Sequence, residues 1–95
     1  MQINAVLIDP KDNVVVVTRP LDAGGTVAYF VEGEIKTFRL FQPVPIYHKA
    51  ARREMKKGTV IVKYGEKIGI AACDISQGSY VHIHNIAGLK LEEQN

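Results

Sequence analysis

One cysteine, Cys73, is all the chain offers, so an intramolecular disulfide is excluded and a reducing cytoplasm is the expected setting. Within Ala71-Ala72-Cys73 that thiol reads as a small buried hydrophobe rather than a nucleophile. No apolar run approaches the roughly 20 residues of a membrane-spanning helix. Met1-Gln2-Ile3-Asn4 has neither the basic start nor the apolar stretch of a signal peptide, so neither a membrane nor secretion is expected. Cysteine-spaced ligand sets are missing, which excludes a zinc finger. Lys63-Tyr64-Gly65-Glu66 lacks the Gly-Lys-Ser/Thr ending of a phosphate loop and reads as a β-turn with Gly65 at positive φ. No Ser-His-Asp or Cys-His arrangement is legible. An excess of one charge is absent too: the formal charge is +2. Between Lys49 and Lys67, however, seven cations stand against Glu54 and Glu66. Such a segment attracts an anionic metabolite or an acidic surface, or is simply a solvated face. No aromatic stacking platform accompanies it, so nucleic acid is not expected.

What is present describes one domain of 95 residues, 46% hydrophobic and 23% charged, enough for a modest core. Ile3–Ile8 reads as a strand stopped by the turn residues Asp9-Pro10-Lys11-Asp12-Asn13. The β-branched run Val14–Thr18 suits a strand covered on both faces. Val27–Glu32 and Ile35–Phe41 read as a hairpin around Gly33-Glu34, and Thr59–Lys63 and Lys67–Ala72 as further strands. Pro43 and Pro45 bar Gln42–Pro45 from the interior of a sheet. Lys49–Lys57 is the one segment long enough to suggest a helix, but its apolar stripe is poor. Many short strands between turn signals predict a compact all-β domain spanning 1–95, with a polar tail from about 89. Arg19–Val27 faintly echoes Arg53–Val60 with one residue gapped, which reads as two similar turn-then-strand units.

The chemistry-bearing residues cluster in two places. Tyr80-Val81-His82-Ile83-His84-Asn85 is predicted to be a strand, whose alternation would put His82 and His84 on one face about 6.5–7 Å apart. Two imidazoles so placed can converge on one metal ion or one anionic group, or they can be packed, satisfied side chains. Asn85 beside them both donates and accepts. His48-Lys49 follows Pro43-Val44-Pro45. A histidine titrates near neutrality and can move protons, and the lysine can clamp a carboxylate. The plain alternative is a surface pair on a loop.

Taken in order, these pieces resemble one family. Asn13-Val14-Val15-Val16 after Pro10-x-Asp12, Leu21-x-Ala23-Gly24 and Val44-Pro45-x-x-His48-Lys49-x-Ala51 follow its pattern. So do Ile61–Glu66 with Ile68-Gly69-x-Ala71, Asp74-Ile75-x-x-Gly78 and Val81-His82-x-His84-Asn85. They resemble the SAF domain that begins altronate/galactarate dehydratases and is also found as the separate small subunit of sulfolactate sulfo-lyase. The resemblance implies a β-clip fold and a lyase removing water or sulfite from a hydroxylated or sulfonated carboxylic acid. Iron is the metal expected, with a separate large catalytic subunit as partner and possible self-association. For such an elimination His48 is expected to be the proton-transferring group, Lys49 and Asn85 the groups that orient the acid's oxygens, and His82 and His84 metal ligands or substrate contacts. The alternative is a non-catalytic module binding a carbohydrate or a protein. Two residues depart from the pattern: Tyr47 stands where glycine is usual, and Ile83 where threonine is.

Overall fold

Residues 2–88 are described by the computed structural model, and the tail from Leu89 lies outside them. Among them are nine short strands and no helix. They are β1 (Ala5–Val6), β2 (Val14–Val17), β3 (Thr26–Val31), β4 (Glu34–Arg39), β5 (Lys49–Ala51), β6 (Val60–Lys63), β7 (Glu66–Ala71), β8 (Tyr80–Val81) and β9 (Ile86–Ala87). The all-β expectation is met. The order β1-β2-β5-β8 makes one antiparallel sheet, β3-β4 a ribbon and β6-β7-β9 another sheet. Lys49–Lys57, the segment considered for a helix, starts as strand β5 and then turns. Ile3–Ile8 is strand only at its centre.

The faint echo is half of a fourfold device. Four corners share one build: a bridging apolar residue, then a turn whose third residue has positive φ. The bridging residues are Leu21, Val44, Met55 and Ile75, paired as Leu21–Val44 and Met55–Ile75. The turns close through Gly25 N–H to Asp22 O, His48 N–H to Pro45 O, Thr59 N–H to Lys56 O and Ser79 N–H to Ser76 O, at 2.9–3.1 Å. Leu21 registers with Met55 and Gly24 with Gly58 without any gap. Each corner docks on a strand end: Gly24 N–H donates to Leu40 O, Tyr47 to Val17 O, Gly58 to Ala71 O and Gly78 to Ala51 O. The third turn residue needs positive φ, which glycine adopts freely. Gly24, Gly58 and Gly78 have φ of 83°, 92° and 94°, but the second corner holds Tyr47 at 68°.

A side chain with a Cβ pays about 1–2 kcal/mol for that conformation, offset in part by glycine's greater freedom when unfolded. Tyr47→Gly is therefore expected to stabilise the isolated chain by about 1 kcal/mol. A urea midpoint raised at constant slope is the supporting measurement; an unchanged or lowered midpoint would contradict it.

Two cores lie on either side of β2 and β5. Val15, Val17 and Ala50 join Val27, Tyr29, Phe38, Leu40 and Val44 in one, whereas Val14 and Ala51 join Met55, Ile61, Ala71, Ile75 and Val81 in the other. Successive side chains point oppositely along a strand, so the valine run serves both cores at once. Buried polar side chains tie loops to strands. Asp12 accepts from Tyr64 N–H (2.9 Å), Gly65 N–H (2.8 Å) and Asp9 N–H (3.2 Å). Asn13 brackets β6, donating to Val60 O and accepting from Val62 N–H. Asn4, only half-buried, brackets β3 in the same manner, through Thr26 O and Ala28 N–H. Cys73, expected inside, is exposed, because the chain bends away at Ala72-Cys73 after β7.

Candidate functional site

β5 and β8 are antiparallel neighbours, with Lys49 opposite Val81 and Ala50 opposite Tyr80. That pairing brings the second corner, which carries His48, beside the segment that carries the other two histidines. His48 Nδ1 lies 2.7 Å from the Tyr80 hydroxyl. The His48 and His82 rings are 5.0 Å apart between centroids, and Tyr80 stacks on His82 at 5.5 Å and 10°. His84 approaches Tyr80 at 5.7 Å. All three histidines of the chain thus gather around one tyrosine. The sequence pattern alone assigns Tyr80 no role. Its signal was its place two residues before His82, on the same face of the strand.

The strand expected across the His-x-His segment is corrected. Alternation runs from Tyr80 to His82, and the chain then turns over His82–Asn85, closed by Asn85 N–H to His82 O at 3.0 Å. Asn85 itself forces the turn. Its side-chain oxygen accepts from His82 N–H at 2.9 Å, and its amide donates to Tyr80 O at 2.9 Å. It is buried, with both ends of its carboxamide bonded to backbone, so it shapes the turn instead of orienting substrate oxygens. Ile83 sits at the turn's tip, and His82 is half-buried beside it.

The hydroxyl on Nδ1 fixes the His48 ring and leaves Nε2 for a ligand. Donation from Tyr80 places the ring proton on Nε2, while donation from Nδ1–H makes Nε2 a base. Partial burial, followed by the charges of His48, Lys49 and His84, pushes His82 below the ordinary histidine range. Its neutral form is favoured, with a lone pair available. Lys49 is half-buried; that burial, and secondarily Lys63, lowers its pKa. No His, Cys, Asp or Glu side chains among the described residues gather in threes close enough to hold a metal. The imidazoles of His82 and His84 therefore find no third protein ligand among the described residues.

Comparison with known proteins agrees with this architecture. The family described as the altronate/galactarate dehydratase SAF domain matches residues 3–89. The chain is 35% identical over 89 residues to a Chromohalobacter salexigens protein named (2R)-sulfolactate sulfo-lyase subunit alpha, covering 90% of this chain and 95% of that one. It is 37% identical over 81 residues to altronate dehydratase of Bacillus subtilis and 39% identical over 80 residues to that of Escherichia coli. Those matches cover 84% of this chain but span only 15% of each dehydratase.

Proposed function

This chain belongs to the altronate/galactarate dehydratase SAF domain family, and from that premise we propose that it is the small subunit of a carbon–oxygen or carbon–sulfur lyase. It acts with a separate large catalytic subunit on an anionic hydroxy acid: a sugar acid that loses water, or a sulfonated hydroxy acid that loses sulfite. The observation that supports this reading is the His48–Tyr80 pair, joined by a 2.7 Å contact and flanked by His82 and His84.

In such an elimination the C–H bond α to the carboxylate breaks, its electrons form the new C=C bond, and the β C–O or C–S bond breaks as the leaving group takes its electron pair. His48 Nε2 takes the α-proton while Tyr80 holds the ring at Nδ1. Lys49 faces the acid's carboxylate and stabilises the charge that grows there. His82 and His84 donate to or accept from the hydroxyls. The exposed free thiol of Cys73 suits a reducing compartment such as the cytoplasm.

Tyr80 is a positioning residue in this scheme. Removing its hydroxyl lets the imidazole drift, and misplacement of about 1 Å costs about 100-fold in rate. Tyr80→Phe, mixed with the large subunit, is expected to lower kcat by about 10- to 100-fold with little change in KM. The variant keeps its ring packing and remains folded. Unaltered turnover on both altronate and sulfolactate would leave a non-catalytic binding module as the better description.

A further inference from the structure

Large hydrophobic side chains at the surface are unremarkable singly, but their ranking here is informative. Among the described residues the two most exposed large hydrophobics are Ile83 at 82% and Tyr47 at 70%. Both are chain neighbours of the histidines: Tyr47 precedes His48, and Ile83 separates His82 from His84. The 5.0 Å approach of His48 to His82 brings together the two turns that carry these apolar residues. Ile46, another exposed apolar residue, extends the same corner. Tyr47 also holds the one strained corner of four, where the equivalent positions are glycines. Strain of this kind persists where a contact elsewhere compensates for it. Among the described residues no carboxylate lies within ion-pair distance of Lys49; the ion pairs there are those of Lys56 with Glu54 and Asp74.

We propose that the face formed by the 45–48 and 82–85 turns seats on the large catalytic polypeptide of the lyase, with Tyr47 and Ile83 as its apolar contacts around the imidazoles. The inference rests on the lyase reading above and adds the surface by which the subunits meet. The choice of occupant follows from the comparisons. The matching segment is 15% of each altronate dehydratase, whereas it is nearly the whole of a protein named a subunit. The same domain therefore accompanies a much larger body in one case by covalent linkage. Apolar contacts ringing a polar cluster exclude water from it, which is the arrangement of a well-sealed interface. Once seated, the face closes the site against solvent and presents Lys49 to an anion or to an acidic group of the partner.

The test places the photo-crosslinking residue p-benzoylphenylalanine at position 47, 83 or 30 of the full chain, expressed in its own cell and irradiated. Phe30 is an exposed aromatic on the β3–β4 ribbon and serves as the control. Adducts from 47 and 83, but not 30, with a polypeptide matching the part of altronate dehydratase outside this domain are expected. Ile83→Asp should also weaken co-purification of that polypeptide by about tenfold or more. Adducts from 47 or 83 with a second copy of this chain or with an unrelated protein would overturn the proposal, as would none at all. Capture of the lyase polypeptide from position 30 alone would refute this face but keep the lyase reading. Capture of no such polypeptide from any position would remove both.

Discussion

Replacing His48 with glutamine is expected to lower turnover of the assembled lyase by about 10²–10⁴-fold, the usual contribution of a positioned acid–base group. Glutamine keeps a polar side chain of similar reach and can still meet the Tyr80 hydroxyl, so the 45–48 corner remains intact. What it cannot do is exchange a proton near neutrality. The loss should therefore fall on kcat and leave assembly with the large subunit unchanged. The same experiment separates His48 from its neighbours: a solvated His84 at the rim should matter less than a ring held by a phenol. Wild-type turnover in His48→Gln would show that proton transfer belongs wholly to the other subunit.

The second large effect concerns the fold. Asp12 is 1% exposed, and its carboxylate accepts three backbone N–H groups, two of them from the Tyr64-Gly65 turn. Asp12→Ala strands all three donors. At about 1 kcal/mol for each part-buried hydrogen bond lost from a carboxylate, the loss is about 3 kcal/mol. For a domain of this size that corresponds to a Tm lower by about 12–24 °C. Such a loss is a large part of the roughly 5–15 kcal/mol that holds a small domain together. Asp12→Asn keeps one acceptor but turns an amide N–H₂ toward donors, so it should recover only part of the stability. Thermal unfolding of the three proteins checks this order, and an alanine variant melting within a few degrees of the parent would contradict it.

Much of the architecture was legible because it rests on local chemistry. The valine run declared a strand with two covered faces, and Gly33 and Gly65 marked hairpins that the structure contains. The corners were only half legible. Their recurrence is carried by one apolar bridging residue and one backbone conformation, and Tyr47 breaks the glycine signature in one of four. Asp12 and Asn13 read as ordinary turn residues, since their partners Tyr64, Gly65, Val60 and Val62 lie about fifty residues away in the chain. The same holds for the site. His48, Lys49, His82 and His84 stood out by type, but the contact of His48 with Tyr80 spans 32 residues and exists only through the pairing of β5 with β8. Alternation misjudged His84 and Asn85 because a side chain, not the backbone pattern, folds that segment back.

β5 has one further consequence. Its three residues carry the second corner on one end and receive the fourth on the other, and Ala50 and Ala51 belong to different cores. The corner that carries His48 and the β8 segment that leads to His82 are therefore both anchored on a strand that, with β2, both halves of the molecule share. Neither half can melt while the other keeps the imidazoles in place, so heat should extinguish catalysis and structure at one temperature, with no earlier softening of the site.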